Sequence, residues 1–288
     1  MCGIFGIVYY EDGKEINSSS LMEVLAKKSD HRGGDATGFA WNRKNKIKIS
    51  KSPGDAKVFK YSSLYNAKCM MGHVRYATQG KAAKNENNHP FIGRTLEGMP
   101  FALAHNGILF NPLIEKSSIE TDTYMAVQLL EKCDTIDFKS IAESCEKIEG
   151  SFLFTILDKT GIYLAKNTSP CIVAHFPGLK LWIYASEKAI INNTIKEFEN
   201  FEGEKALYTE MGEGDIFHIS TKGDLTKACF EPNYTYTKGS YCTSYAWDGN
   251  DEYFLEKIEE VIYSNQLEEI SAKEALLQIE DIIFERYQ

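Results

Sequence analysis

The chain has 288 residues, 43% of them hydrophobic and 25% charged, the balance of a folded protein with a sizeable core, which excludes wholesale disorder. Its net charge of −9 argues against general nucleic-acid binding. No apolar run approaches the ~20 residues of a membrane helix, and Met1-Cys2 leads into Gly3-Ile4-Phe5-Gly6 without a basic n-region, so we expect no membrane span, no secretory signal and a cytoplasmic location.

In chain order, the apolar run Gly3–Tyr10 predicts a first strand. Ser20 with Glu23 predicts a capping box ahead of a helix over Leu21–Lys28. β-branched and aromatic content predicts strands at Gly38–Trp41, Lys46–Ser50, Met70–Arg75 and Phe101–Ala104. Asp122 opens a predicted helix over Thr123–Lys132, and Ile141–Ile148 gives another. Further strands are expected at Ser151–Leu157, Ile162–Ala165, Cys171–His175, Leu181–Ala185 and Asp215–Ser220, with a helix over Lys188–Glu199. Strands come in clusters separated by helices, not in strict alternation, which favours α+β over a doubly wound sheet.

After Phe230 the character changes. A Tyr-, Ser- and Thr-rich connector, 231–250, precedes two amphipathic helical patterns, Tyr253–Tyr263 and Ala272–Glu285. Residues 251–288 hold eleven acids against three bases, nearly all of the chain's negative excess. We therefore expect one domain over 1–230 and a connector with an acidic helical extension over 231–288.

The seven cysteines are widely spaced and include no C-x-x-C, so neither a disulfide framework nor a zinc ribbon is expected; the six histidines lack metal-site spacing. No metal or cofactor is expected. Cys2 stands apart by position. Once Met1 is removed, its thiol and a free α-amine of pKa ~8 share one residue, so the base travels with the nucleophile. Position alone fits better a small residue in a buried first strand.

Three further segments add weight. His31-Arg32-Gly33-Gly34-Asp35-Ala36-Thr37-Gly38 sets glycines beside an arginine suited to ordering the N-terminal loop. Gly72-His73-Val74-Arg75-Tyr76-Ala77-Thr78-Gln79-Gly80 is a strand ending in an arginine and a turn. His105-Asn106-Gly107 offers a side-chain amide next to a glycine N–H, two donors able to converge on one oxygen as an oxyanion hole requires. Each has a plainer reading: Arg75 as a surface ion pair, Asn106-Gly107 as a hairpin turn, Asp122 as a helix-start carboxylate.

Together with Asn88-His89-Pro90 and Thr121-Asp122-Thr123, these motifs, in this order, resemble the class II (N-terminal cysteine) glutamine amidotransferases, in particular the glutaminase domains of glucosamine-6-phosphate synthase and amidophosphoribosyltransferase. The resemblance spans roughly residues 2–220. It implies an Ntn-hydrolase fold, an αββα sandwich of two antiparallel sheets between helical layers, and L-glutamine as nitrogen donor. It implies Cys2 as nucleophile with its α-amine as base, and Asn106 with the Gly107 N–H as oxyanion hole. Arg75 would hold the glutamine α-carboxylate, Thr78 would add a polar contact there, and Asp122 would accept the ammonium, with Arg32 and Gly33 supporting the N-terminal loop. Tyr76 stands where the sugar-phosphate synthase has Trp, and Gln79 where it has His.

No synthase region follows residue 230, so the expected protein is a stand-alone glutaminase that passes ammonia to a separate acceptor enzyme, or acts through self-association. Two alternatives are a cysteine Ntn acylase acting on another amide, and a catalytically idle Ntn fold serving as a binding or regulatory module.

Overall fold

The computed structural model describes residues 2–11, 16–43, 46–64, 67–110 and 119–233, all within one compact unit, Met1–Tyr234. Of the connector expected over 231–250 only residues 231–233 are described; the rest of it and the acidic helices lie outside the described residues.

Thirteen strands form two antiparallel sheets among the described residues. The first contains β1 (Gly3–Tyr9), β2 (Ala36–Arg43), β3 (Lys46–Pro53), β4 (Cys69–Arg75), β9 (Ile172–Phe176), β10 (Leu181–Ala185) and β11 (Leu207–Glu210), in the order β11-β9-β10-β1-β4-β2-β3. The second contains β5 (Phe91–Arg94), β6 (Pro100–Leu109), β7 (Gly150–Leu157), β8 (Gly161–Lys166), β12 (Asp215–Ser220) and β13 (Leu225–Cys229), in the order β13-β12-β8-β7-β6-β5. Four α-helices accompany them: α1 (Ser18–Ser29), α2 (Thr123–Glu131), α3 (Phe138–Cys145) and α4 (Lys188–Ile195).

Side-chain alternation explains the layering. On β1, Phe5 and Ile7 pack outward against Leu21 and Leu25 of α1 and Ile190 of α4, whereas Ile4 and Val8 face the other sheet. On β7, Leu153 and Leu157 face inward, and Phe152, Phe154 and Ile156 pack against Met125 and Leu130 of α2 and Ile141 of α3. Three apolar layers thus separate four structural layers, and the fold is an α+β αββα sandwich. A hydrogen bond of 2.8 Å between Thr155 Oγ1 and the Tyr184 hydroxyl ties the sheets through the middle layer.

Several local expectations change. The Ser20–Glu23 capping box does not form; Asn17 caps α1 instead, accepting from the Ser19 and Ser20 N–H groups, and the helix starts at Ser18. α3 begins earlier than expected because Asp137 and Ser140 form a reciprocal cap. α4 ends at Ile195. β5, β11 and β13, each four or five residues long, were not expected; they are edge or near-edge pairings whose partners, not their own patterns, make them strands. No helix among the described residues is long and apolar enough to cross a membrane.

Candidate active site

β1 lies antiparallel to β4, with Gly3 opposite Val74, so the start of the chain meets the end of β4. Half-buried Cys2 therefore sits beside the Arg75-Tyr76 peptide. The Tyr76 N–H points to its Sγ at 3.3 Å, and the thiol lies 3.5 Å from the Tyr76 carbonyl. Burial raises the thiol pKa, only partly offset by the Tyr76 N–H and the Arg75 charge.

The loop from Arg32 to Asp35 holds this arrangement. Buried Arg32 donates from Nε to the Cys2 carbonyl at 2.9 Å and pairs with Glu187, which also bonds His31. A Cβ on Gly33 would come within 2.5 Å of the Arg75 carbonyl carbon, so only glycine allows the two segments to touch. Asp35 then bonds both sides of the contact: its N–H donates to the Arg75 carbonyl at 3.0 Å and its carboxylate accepts the Ala77 N–H at 2.8 Å.

Arg75 is no surface ion pair. It is 3% exposed, and its guanidinium donates to Asn88 Oδ1 at 2.8 Å, to the Gly80 carbonyl at 3.2 Å and to the Gln79 carbonyl. No carboxylate lies within ion-pair distance of it among the described residues. Burial lowers its pKa, while Cys2, Asp35 and Asp122 act in the opposite sense. A buried guanidinium held by neutral acceptors is a preformed anion site, since an unpaired buried charge is costly until a counter-ion arrives.

Asn106-Gly107 is no hairpin turn either. Both residues lie inside β6, paired with Leu153 and Phe152 of β7. Gly107 has φ of +139°, and a Cβ there would meet the Ser151 carbonyl at 1.9 Å, so the position demands glycine. Alternation along β6 sends Ala102, Ala104 and Asn106 to the inter-sheet face and His105 to the α2 face. The buried Asn106 amide lies 3.5 Å from Ser186 Oγ, which in turn accepts the Ile4 N–H at 2.9 Å, two residues from Cys2. Asp122 does cap α2, accepting the Thr123 N–H through one oxygen; the other accepts the Leu109 N–H, both at 2.8 Å, which ties the helix to the end of β6.

One open cavity gathers Cys2, Arg75, Thr78, Gly107 and Asp122. Asn106 does not line it; its amide reaches the inter-sheet side of β6. Six further lining residues, Tyr76, Gln79, His89, His105, Thr121 and Thr123, were present in the motifs but given no site role from the sequence. Tyr76 is 55% exposed at the rim. The buried Thr121 hydroxyl has no hydrogen-bond partner among the described residues. His89 and His105 form, with His73, a buried chain: His89 Nδ1 lies 3.0 Å from His73 Nε2, and that nitrogen lies 3.0 Å from the His105 carbonyl. A carbonyl only accepts, so His73 carries its proton on Nε2. Burial keeps all three imidazoles neutral, with His73 pushed down to about 3. The signal for these residues was present in the motifs themselves, but nothing local distinguished a buried imidazole from an exposed one.

A thiol, an unpaired buried cation and a half-buried carboxylate around one cavity suit an amino-acid amide. Residues 6–133 match the family model for class-II glutamine amidotransferases. The chain carries a class II glutamine amidotransferase domain. It is 31% identical over 224 residues to glutamine–fructose-6-phosphate aminotransferase (isomerizing) of Streptococcus agalactiae serotype V, an alignment covering 72% of this chain and 35% of that protein. The enzyme of that name from Listeria monocytogenes is 27% identical over 265 residues, covering 84% and 41%. Among solved structures, glutamine phosphoribosylpyrophosphate amidotransferase from B. subtilis, complexed with ADP and GMP, superposes with a TM-score of 0.64 and 25% identity over 81% of this chain and 50% of that one. The chain thus spans about a third of the length of the first relatives and half of the solved structure.

Proposed function

We propose that the chain hydrolyses L-glutamine to glutamate and ammonia through a thioester on Cys2. The observation that carries the reading is the buried Arg75, with no carboxylate partner among the described residues, on the same cavity as the Cys2 thiol and Asp122. Arg75 takes the glutamine α-carboxylate with Thr78 beside it, Asp122 takes the α-ammonium, and the side-chain amide reaches Cys2. With Met1 removed, the α-amine accepts the thiol proton as Sγ attacks the amide carbon. The Gly107 N–H and the Asn106 amide receive the oxyanion. The C–N bond then breaks as the α-ammonium returns its proton to the leaving nitrogen, and water cleaves the thioester to give glutamate and free thiol.

Arg75→Ala and Asp122→Asn are expected to act mainly on KM. Loss of a buried charge-assisted contact corresponds to roughly 10–100-fold weaker binding. Steady-state kinetics with free glutamine check this, and a loss confined to kcat overturns the assignment. Asp122→Asn keeps an acceptor for only one of the Leu109 and Thr123 N–H groups and turns an NH2 toward the other, so melting temperature is measured alongside to separate binding from folding.

The ammonia acceptor, in this proposal, is a separate enzyme, reached through the acidic segment 251–288 or through self-association. The support is its charge, suited to steering a basic partner surface. Deleting 251–288 is expected to leave glutamine hydrolysis intact and to abolish salt-sensitive capture of the acceptor by tagged protein; capture unchanged by the deletion places docking on the catalytic domain. A cytoplasmic setting belongs to the same proposal and is supported by the six free thiols among the described residues.

A further inference from the structure

The edge strand β3 alternates in a regular way. Ile47 and Ile49 point toward the opposite sheet and pack on the inter-sheet core. Lys51 occupies the next inward position, where the pattern calls for an apolar residue. Its aliphatic stem crosses from the edge of one sheet toward β5 at the edge of the other, and its ammonium sits 4.7 Å from the centre of the Phe91 ring.

The ammonium donates to the Asn88 carbonyl and lies 3.5 Å from the Glu86 carbonyl. Asn85 closes the circle. Its Nδ2 donates to the Lys51 carbonyl at 2.8 Å, and its Oδ1 accepts from Asn88 Nδ2 at 3.2 Å. Asn88 Nδ2 also donates to the Ala82 carbonyl at 2.8 Å. The one acceptor of Asn88 left over, Oδ1, holds Arg75. A closed hydrogen-bonded ring of Lys51, Asn85 and Asn88 therefore ends on the guanidinium that faces the cavity.

We propose that Lys51 is a positioning residue for substrate capture, fixing Asn88 and through it the orientation of Arg75, and adding a second positive charge behind the carboxylate site. The inference rests on the reading of Arg75 as the carboxylate holder. Charged Lys51 strengthens the bond to the Asn88 carbonyl and favours an anion next to Arg75; neutral Lys51 does neither. Burial pulls its pKa down to about 8, with Glu86 acting to raise it and Arg75 to lower it; neutral His89 packs nearby. Capture is therefore expected to weaken as pH rises through about 8, the region where the lysine loses its proton.

The test is glutamine kinetics between pH 7 and 9.5 for wild type, Lys51→Met and Lys51→Arg. At pH 7, Lys51→Met is expected to raise KM about ten-fold, the loss of one charge-assisted contact, with kcat changed less than about two-fold. The wild-type KM is expected to climb toward that of Lys51→Met above pH 8, whereas Lys51→Arg, which keeps its charge, climbs less. Every variant shares the titrations of glutamine and of the catalytic amine, so the difference between profiles isolates position 51. A Lys51→Met KM within two-fold of wild type, or indistinguishable profiles for wild type and Lys51→Arg, overturns the inference. Arg75→Ala keeps the two readings apart. If it raises KM while Lys51→Met does not, only the role of Lys51 fails; if it leaves KM unchanged, the carboxylate-site reading fails first. Far-ultraviolet dichroism and melting of Lys51→Met confirm that the variant is folded, and if it is not, the Lys51→Arg comparison decides alone.

Discussion

Cys2→Ala is expected to abolish glutamine turnover, a loss on the order of 10⁶ by the scale of other covalent hydrolases, with little change in melting temperature. The side chain is small, half-buried and, among the described residues, bonded only to the Tyr76 backbone, so its removal costs the fold little. The chemistry is another matter. Burial raises the thiol pKa, so at neutral pH the thiolate is scarce and attack needs a base at hand. No described histidine contacts Cys2 Sγ, and the base in the proposed mechanism is the residue's own amine. The kcat is then expected to rise with pH and level off above about 8, as that amine loses its proton, while the climb in KM expected of Lys51 turns kcat/KM down over the same range. A blocked N-terminus should give the same dead enzyme, and full turnover from a chain shown by intact mass to retain Met1 overturns the mechanism. A glutamine-shaped electrophile should label Cys2 alone. Cys69, Cys145 and Cys171 are buried with strongly raised pKa values, whereas Cys229 is exposed and should react only with small unselective alkylating reagents.

Asn106→Ala is expected to lower kcat by about 10²–10³ with little effect on KM, the cost of losing one oxyanion donor. The geometry makes this a sharper question than the sequence did. The amide reaches the inter-sheet face of β6, next to Ser186 and the start of β1, so it can act either by donating to the oxyanion or by holding Ser186 and Ile4 in place. Ser186→Ala separates the two, because it removes the anchor and leaves the amide. If the loss comes from the oxyanion, Ser186→Ala keeps most of its kcat; if Ser186→Ala reproduces the loss, Asn106 is a positioning residue. Gly107→Ala does not serve as a control, since its Cβ would collide with the Ser151 carbonyl and damage β6 itself.

Some of this was decided by local chemistry. The apolar run at Gly3–Tyr10, the alternation at Lys46–Ser50 and the carboxylate before Thr123 each depend on neighbours in sequence, and strand, edge strand and capped helix stand where those patterns put them. The motif set Cys2, Arg75, Thr78, Gly107 and Asp122 was also legible, because residue type and order identify a chemistry before geometry does. Other features depended on distant segments. Asn17, not Ser20, caps α1, and β5, β11 and β13 exist because a neighbouring strand offers its free edge. Asn106-Gly107 has the sequence of a tight turn, yet β7 pairs along it and keeps it extended. Arg75 has the sequence of a surface cation, but the Gly33 contact and the 79–88 loop bury it without a carboxylate partner among the described residues, the condition that the proposed carboxylate site requires. Lys51 is the sharpest case. Its position in the Ile47–Ile49 row marks it as out of place, but only the meeting of two sheet edges shows that its ammonium ends on the loop that holds Arg75. The sequence determined which groups were present and which stretches were strands or helices, because those follow from short-range sterics and periodicity. Burial, pairing and convergence came from the tertiary structure, because they depend on residues that are near in space and far apart in the chain.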